Sequence, residues 1–366
     1  MNGYENPVKI IHSNDWYFDL KNTISNFKIS NPIIVTSPGN KNRLDLGKYF
    51  SESCIFSVVP SNPSFIDCSN IIKFCKGNTF DSVVAIGGGS VMDLAKVVLS
   101  HLSLGFLDIH KLIAYKSQYS NIIPSIFIPT THGTASEVTM WGTIWDMKSK
   151  KKYSISNYSL YPDIAIIDGQ LTLSLPLKTS IITVMDALSH SFEAIWNKNS
   201  NPTSTKYAVE AICMILSSSL KLKQNPQDLK IRKKLLKAST IAGLAFSNTT
   251  TAAAHSISYP LTIHYDIPHG AAASVTLLPL LEINKGQITE SLTKIYDRLR
   301  ISYLDLKNII STIPKGVIPT SLCDWGIPIN DISRIASESF TKGRMENNIV
   351  DLNEDNVKEI LLKVYK

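Results

Sequence analysis

The sequence predicts an α/β domain with a parallel, Rossmann-like sheet, followed by an all-helical domain. Short apolar runs alternate with turn residues and helical patterns in the first half of the chain, whereas helical periodicity dominates from about residue 176 to the C-terminus. Fully apolar strands that alternate with helices are typical of a parallel sheet covered on both faces. We therefore predict two domains, formed by residues 1–176 and 177–366.

Each predicted strand is a short apolar run next to turn residues. The runs are residues 32–36 (PIIVT), 54–59 (CIFSVV), 81–86 (DSVVAI), 125–128 (SIFI) and 163–167 (DIAII). In the second domain the apolar residues recur with the period of a helix. Examples of the predicted helices are residues 178–196, 203–222 and 228–246.

The composition argues against several classes of protein. With 44% hydrophobic and 18% charged residues, the 366-residue chain resembles an ordinary soluble globular protein. No apolar run approaches the roughly 18 residues of a membrane span. The lysines behind the net charge of +7 are scattered and form no basic stripe interleaved with aromatic residues. We therefore expect neither a membrane nor a nucleic acid as a partner.

The cysteines and the N-terminus indicate the cytoplasm. The five cysteines are odd in number and show no CxxC spacing, which argues against a disulfide framework and against a thiolate zinc site. The first residues, MNGYENPVKI, lack the basic start and the apolar stretch of a signal peptide. A reducing compartment fits both observations.

A triple glycine between a strand and a helix predicts a nucleotide site. Residues 83–96 read VVAIGGGSVMDLAK. Glycines let the backbone approach a diphosphate, and the N-terminus of the following helix favours anionic oxygens. Ser90 and Asp93 have the spacing of an N-terminal capping pair. An ordinary glycine turn before a capped helix explains the same letters, and the GxGxxG fingerprint of a dinucleotide fold is missing.

A second loop strengthens the nucleotide hypothesis. Residues 129–139 (PTTHGTASEVT) directly follow a predicted strand. The loop offers four hydroxyl groups that are able to wrap a phosphate or a ribose, although such loops are often only turns. The hydroxyls belong to Thr130, Thr131, Thr134 and Ser136.

Histidines and one aspartate predict a metal site in the second domain. Asp186 and His190 are four residues apart and therefore share a helical face. His255, His264 and His269 follow in one helical stretch. One carboxylate with two or three imidazoles suits Fe(II) or Zn(II) but not Mg or Ca. Hydrogen-bonded core histidines are the alternative, but a shared metal would satisfy several buried imidazoles at once.

At these residues the chain resembles the iron-containing (group III) alcohol dehydrogenases, which have a dehydroquinate-synthase-like fold. Residues 87–96 match the family's GGGSxxDxAK motif, and residues 129–137 match its PTTxGTxSE loop. The DxxxH motif and the H…PHG block match four residues of the second domain. The resemblance implies a metal bound by these four, an N-terminal nucleotide domain and a cleft between the domains. The implied ligands of Fe(II), or alternatively Zn(II), are Asp186, His190, His255 and His269.

The resemblance also implies that NADPH or NADH is the cofactor. The implied cofactor-binding residues are Ser37, Lys41, Asn62, Gly87, Gly88, Gly89, Ser90, Asp93, Thr130, Thr131, Thr134, Ser136 and Lys152. Many NAD-using members have Asp where this chain has Ser37. An Asp there would repel a 2′-phosphate, so Ser37, followed by Lys41 and Arg43, favours NADPH.

Three other positions depart from the family pattern. The family usually has Ala at His132 and Gly at Ala135, which affects the shape of the phosphate loop. Many members have a histidine where this chain has Tyr259, so a histidine proton relay is not assumed.

Short strings resemble the phosphonoacetaldehyde reductase subgroup, which makes 2-hydroxyethylphosphonate. They are residues 143–146 (TIWD), 151–156 (KKYSIS), 195–202 (IWNKNSNP) and 247–262 (SNTTTAAAHSISYPLT). We therefore expect metal-assisted reduction of phosphonoacetaldehyde by NAD(P)H in phosphonate biosynthesis. The candidate catalytic or substrate-binding residues are Tyr259, His264, Asn248, Lys198, Asn197 and His132.

We expect the protein to form a homodimer. Three other functions remain open. A general iron-type alcohol dehydrogenase would act on a neutral short-chain alcohol. A lyase of the dehydroquinate synthase type uses the same fold but would be expected to carry more basic residues for its polyhydroxylated phosphate. A catalytically inactive binding protein would not be expected to keep both the ligand set and the glycine loop.

Overall fold

The computed structural model describes residues 3–106, 108–115, 117–119, 121–146 and 148–366. The chain divides into two compact units. The α/β unit comprises Asn6–Thr131 and Ala135–Ser174, and the helical unit comprises Leu175–Lys366 with the short segments Met1–Glu5 and His132–Thr134. The sequence did not indicate that the last of these segments would belong with the helices.

The α/β unit is built on a six-stranded sheet in which every strand pair is parallel, with the order β1-β8-β5-β4-β2-β3. Strands β6 and β7 form a separate antiparallel hairpin. The predicted parallel sheet is therefore confirmed. In chain order the elements are β1 Lys9–His12, α1 Trp16–Asn26, β2 Pro32–Thr36, α2 Pro38–Arg43, β3 Ile55–Phe56, α3 Phe65–Cys75, β4 Ser82–Gly87, α4 Gly89–Leu104, α5 Ile109–Ala114, β5 Ser125–Pro129, β6 Trp141–Asp146, β7 Lys151–Ser156 and β8 Ile164–Ile167.

The central strands are apolar on both sides because both faces of the sheet are covered. Ile33 and Val35 of β2 belong to one hydrophobic core, which also contains residues of α3 and α4. Ile34 lies between them in the chain and belongs to a second core on the other face, which Leu20 of α1 joins. Successive residues of a strand point to opposite faces, so a strand covered on both sides reads as an unbroken apolar run.

Two details of the sheet differ from the prediction. Strand β3 has two residues rather than the six predicted from CIFSVV, since the run turns outward and leaves Val58 63% exposed. Strands β1, β6 and β7 were not among the predicted runs. β1 is a four-residue edge strand whose end residues are exposed, so it lacks the apolar run that revealed the central strands.

The helical unit contains ten α-helices among its described residues, whose strand-like pairing is limited to one bridge between Asn197 and Asn348. The all-helical prediction is therefore confirmed. None of the described helices is long and apolar enough to cross a membrane. The helices are α6 Leu177–Ile195, α7 Pro202–Gln224, α8 Leu229–Thr249, α9 Ala253–Tyr265, α10 His269–Ser274, α11 Leu277–Asn284, α12 Thr289–Leu299, α13 Tyr303–Thr312, α14 Ile332–Glu338 and α15 Glu354–Lys363.

Helix α6 is the most deeply buried part of this unit. All residues from Val184 to its last residue, Ile195, are buried, whichever side of the helix they occupy. Helices α7, α8, α9 and α10 all contact α6. A helix that is buried all round has no solvent-facing side for polar residues, so each polar group in its second half needs a partner inside the protein.

We predict that Arg300→Gly stabilises the protein by about 1 kcal/mol. Arg300 ends α12 in the left-handed region (φ 54°) and donates its backbone N–H to the carbonyl oxygen of Tyr296. Glycine adopts this conformation without the steric cost that a Cβ imposes. Thermal unfolding measures the gain. The control Arg300→Ala removes the same charge but keeps Cβ, and an equal gain in that variant would contradict the backbone explanation.

Candidate active site

Three side chains from three helices meet in the interior of the helical unit. Asp186 Oδ1 lies 3.5 Å from His255 Nε2 and 3.9 Å from His269 Nε2. One ligand atom from each of the three lies within 4.8 Å of the other two. Donors bound to one tetrahedral metal ion at about 2.0–2.2 Å are themselves separated by roughly 3.3–3.6 Å, so the cluster is close to the dimensions of a metal site.

His190, the fourth predicted ligand, belongs to the same cluster through its ring. The imidazole stacks on that of His255 with 4.3 Å between ring centroids, and on Phe246 with 4.1 Å. The compact ligand-atom group found among the described residues consists of Asp186, His255 and His269. Coordination by His190 therefore stays a prediction.

Two buried atoms of the cluster show that its residues fit a cation. Asp186 Oδ1 and His255 Nε2 make no hydrogen bond within the part of the chain that the structure describes. Burial alone would raise the pKa of Asp186, but the imidazoles of His190, His255 and His269 hold that pKa below its usual range. A buried polar atom without a partner is costly. A divalent cation would be coordinated by both atoms, and the carboxylate and imidazole donors suit Fe(II) or Zn(II).

Glu193 completes the site and was missed in the sequence. Its side chain is fully buried, and Oε2 is hydrogen-bonded to His255 Nδ1. Oε1 accepts the backbone N–H groups of Ala252 (3.0 Å) and His255 (3.1 Å). The bond between Oε2 and His255 Nδ1 fixes the imidazole with Nε2 toward Asp186. Outer carboxylates orient metal-binding histidines in this way. The available signal was the spacing of Asp186, His190 and Glu193, which places all three on one face of α6.

A glycine allows α10 to approach α6. A Cβ built on Gly270 would lie 2.9 Å from Cβ of Asp186 and would also overlap the backbone of Ile182. Any larger residue would therefore push the start of α10 away from α6. The glycine of the PHG motif is needed because His269, its neighbour, must reach the carboxylate of Asp186.

Two predicted catalytic residues follow His255 on α9. Tyr259 is half-buried, and its hydroxyl accepts a hydrogen bond from Nε of Arg344 at 3.3 Å. His264 Nε2 lies 2.6 Å from a carboxylate oxygen of Glu338. Proton transfer by either residue stays a prediction.

The predicted substrate residues outside α9 are engaged with neighbouring groups. Lys198 forms a 2.5 Å ion pair with Asp351. Asn197 is buried and donates to the carbonyl oxygen of Thr250. Asn248 exchanges hydrogen bonds with the backbone of residue 5. None of these contacts tests a role toward substrate, so that role stays a prediction.

His132 is fully buried in the helical unit. Burial, reinforced by the charge of Arg232, lowers the pKa of His132 to about 3. The imidazole is therefore neutral near pH 7. A neutral imidazole does not supply a positive charge to an anionic substrate, and binding by His132 would rest on hydrogen bonding.

In the α/β unit the glycine turn meets two other loops at one edge of the sheet. Strand β4 lies between β2 and β5, so the carboxyl ends of these three strands are adjacent. The amide of Asn40 donates to the carbonyl oxygen of Ile86 (3.4 Å) and to Thr130 Oγ1 (3.3 Å). Thr130 N–H donates to the carbonyl oxygen of Gly87. Asn40, which the sequence did not single out, therefore joins the loops where parallel sheets bind nucleotides.

The capping pair predicted at the start of α4 was wrong. The residue that precedes the helix is Gly88, and no side chain caps the helix N-terminus. Asp93 instead accepts a hydrogen bond from Ser136 Oγ at 3.3 Å. A 16-residue helix without a side-chain cap presents its first N–H groups to other acceptors. Gly88 also leaves space at the start of the helix, since a Cβ there would lie 3.1 Å from the side chain of Thr131.

Lys96 anchors the hydroxyl-rich loop and was not among the predicted site residues. Its fully buried ammonium donates to the carbonyl oxygen of Ser136 (2.9 Å), to Ser136 Oγ (2.8 Å) and to the carbonyl oxygen of Trp141 (2.6 Å). Burial lowers the pKa of Lys96 and raises that of Asp93. Ala135 in the same loop adopts a left-handed φ of 49°, a conformation that suits the glycine usual in the family.

The remaining predicted cofactor residues lie around these loops. Ser37 caps α2 by accepting the N–H of Asn40. Lys41 forms a 2.5 Å ion pair with Glu52. Ser90 Oγ accepts the N–H of Asn62, and Lys152 lies over the ring of Trp145. Contact of these residues with a cofactor stays a prediction, as it does for Gly89 and Thr134.

Both halves of the chain match models of known protein families. Residues 7–169 match the model of iron-containing alcohol dehydrogenase, and residues 180–365 match that of the C-terminal part of the Fe-containing alcohol dehydrogenase family. The chain is therefore an oxidoreductase of the alcohol dehydrogenase type. It belongs to the iron-containing alcohol dehydrogenase family.

Similar proteins include two alcohol dehydrogenases and one solved aldehyde reductase. Long-chain-alcohol dehydrogenase 1 of Geobacillus thermodenitrificans is 30% identical over 80% of this chain and 76% of its own length. NADPH-dependent butanol dehydrogenase of Clostridium saccharobutylicum is 30% identical over 78% and 76%. The sulfoacetaldehyde reductase of Bifidobacterium kashiwanohense, solved with NAD⁺, is 28% identical with a TM-score of 0.85 and covers 100% of this chain and 98% of its own.

We predict that Glu193→Gln weakens metal binding by about 10- to 100-fold. Glutamine has nearly the same shape but lacks the negative charge that holds the imidazole of His255. Competition with a chromophoric chelator measures the metal dissociation constant without reference to activity. The control is Glu290→Gln, which changes an exposed carboxylate paired with Lys294 on α12. Unchanged metal affinity in Glu193→Gln would contradict the positioning role.

Proposed function

We propose that this protein reduces a small anionic aldehyde with NADPH, and that the substrate is phosphonoacetaldehyde, which would yield 2-hydroxyethylphosphonate. The cluster of Asp186, His255 and His269 carries the proposal, since it fits the metal that carbonyl reduction in this family requires. The similarity to a sulfoacetaldehyde reductase supports an anionic substrate, because that protein's named substrate joins an aldehyde to a sulfonate.

The protein's own residues position the reacting groups. When bound, the metal supplies a Lewis acid for the carbonyl oxygen, and the nicotinamide supplies hydride. Asp186, His255 and His269 would hold the metal, with His190 as the fourth predicted ligand, while Glu193 keeps the ring of His255 in orientation. We retain Tyr259 and His264 as candidate proton donors.

The cofactor would bind at the carboxyl edge of the sheet in the α/β unit. The uncapped start of α4 favours a diphosphate, and the hydroxyl-rich loop held by Lys96 offers further donors. Ser37 brings no negative charge to the end of β2. Lys41 is paired with the exposed Glu52, and a surface ion pair of this kind contributes only about 0–1 kcal/mol. A 2′-phosphate of NADPH would therefore replace Glu52 at little cost.

A substrate panel tests the proposed function. We predict that kcat/KM for phosphonoacetaldehyde exceeds that for neutral propanal by about 100-fold or more, because unpaired cations in the site disfavour an uncharged compound. Sulfoacetaldehyde and a carboxylate analogue complete the panel, assayed with Fe(II)- and Zn(II)-loaded protein. Equal values for propanal would instead indicate a general alcohol dehydrogenase acting on neutral short-chain alcohols.

A cofactor-preference experiment centres on Ser37. We predict that Ser37→Asp lowers kcat/KM for NADPH by at least about tenfold, because a carboxylate repels the 2′-phosphate, and leaves NADH less affected. Aspartate caps a helix as well as serine does, so α2 is preserved. The control Ser37→Asn keeps the cap without the charge. A wild-type preference for NADH, or an equal loss in both variants, would refute the NADPH assignment.

We further propose that the protein acts as a homodimer in the cytoplasm. Strand β1 is an edge of the sheet with one neighbour among the described strands, and an open edge offers backbone groups to another strand. The five cysteines are free thiols, as is usual in a reducing compartment. Light scattering at micromolar concentration checks the oligomeric state, and a monomer would exclude the dimer.

A further inference from the structure

We propose that Arg344 binds the anionic end of the aldehyde and so determines the preference for charged substrates. This inference rests on the proposed function and names the residue behind it. Arg344 is half-buried, and its Nε donates to the hydroxyl of Tyr259. Arg344 is far from every motif along the chain, so sequence motifs do not single it out.

Arg344 is linked through Tyr259 to α9, the helix that carries His255. Tyr259 follows His255 by four residues on α9, and such residues are stacked one turn apart on the same face. The pitch of a helix is about 5.4 Å. A substrate with two carbons between its carbonyl oxygen and its phosphorus has a length of the same order, so it is able to reach both His255's metal and the Tyr259–Arg344 pair.

The guanidinium of Arg344 has N–H donors that are able to bind an anion. Nη1 donates to the carbonyl oxygen of Gly343. Among the described residues no carboxylate forms an ion pair with Arg344. The nearby carboxylate of Glu346 accepts the backbone N–H groups of Gly343 (2.6 Å) and Arg344 (3.3 Å) instead. A guanidinium presents several N–H donors in one plane, which suits a phosphonate or sulfonate.

The segment that carries Arg344 is fixed in place. The amide of Asn347 donates to Thr250 Oγ1 (2.8 Å) and to the carbonyl oxygens of Thr251 and Gly343 (both 2.9 Å). These bonds tie the segment to the residues that precede α9. A donor held in position before the substrate arrives loses less freedom on binding, so Arg344 is suited to select a substrate.

Three other cations of the helical unit are engaged elsewhere. Lys198 is paired with Asp351, and Arg334 lies near Asp331 and Glu338. Arg232 is fully buried and donates to two backbone carbonyl groups and to a serine. Arg344 therefore combines a position beside the metal-binding helix with a charge that the described carboxylates leave unpaired.

The test compares Arg344→Gln and Arg344→Lys with wild type. We expect Arg344→Gln to lower kcat/KM for phosphonoacetaldehyde roughly 10- to 100-fold, mainly through KM, and to lower kcat/KM for propanal much less. Arg344→Lys keeps the charge but not the planar fork, so it should retain part of the preference. The matched control is Arg298→Gln, which removes an exposed arginine from α12.

Binding of ethylphosphonate, measured by calorimetry on the NADP⁺-bound protein, adds a readout that does not depend on turnover. We expect this non-reactive probe to bind wild type and Arg298→Gln, and to lose affinity roughly 10- to 100-fold in Arg344→Gln. If wild type prefers the phosphonate and Arg344→Gln keeps both the preference and the affinity, the assignment of Arg344 is overturned and the proposed function stands.

Two other outcomes also overturn the assignment. A loss for both phosphonoacetaldehyde and propanal, with reduced metal content, would give Arg344 a structural role. A wild-type protein that shows no preference and binds no ethylphosphonate would refute the proposed function itself, and with it an anion site at Arg344.

Discussion

The buried carboxylate of Asp186 is the constraint on which the helical unit depends. A charge in a protein interior is costly unless it is paired, and α6 offers no solvent-facing side at that point. The imidazoles of His255 and His269 lower this cost, but they do so only if α9 and α10 lie against α6. The glycine at position 270 permits that approach. The packing of α9 and α10 against α6 therefore both stabilises the charge of Asp186 and assembles the metal cluster.

The α/β unit solves a related problem with backbone rather than side chains. The carboxyl ends of β2, β4 and β5 bring three loops together, and Asn40 and Lys96 donate hydrogen bonds to carbonyl and hydroxyl oxygens there. With these groups occupied, the start of α4 keeps its N–H groups for an external acceptor. The absence of a side-chain cap, which would be a defect in an ordinary helix, is here what an anion site needs.

Much of this was predictable, and the exceptions share a physical cause. Apolar runs revealed the central strands because both faces of the sheet are covered, and the spacing of Asp186 and His190 revealed a helical face. Strand β1 was not predicted because an exposed edge strand has no such apolar run. The expected pair of Ser90 and Asp93 failed because Asp93 has a partner in a distant loop, Ser136. Asn40 likewise acts through contacts that lie far away in the chain.

The net charge of the chain says little about its substrate. A chain with a formal charge of +7 attracts anions in general but selects none. Selection depends on which cations remain unpaired beside the reacting groups, and that depends on acids that lie far off in the sequence. Asp351 forms an ion pair with Lys198 from 153 residues away, whereas the guanidinium of Arg344 forms no ion pair with a described carboxylate and instead contacts Tyr259. Recognition of an anion thus depends on the folded chain, because the fold decides which cations are left without a carboxylate partner.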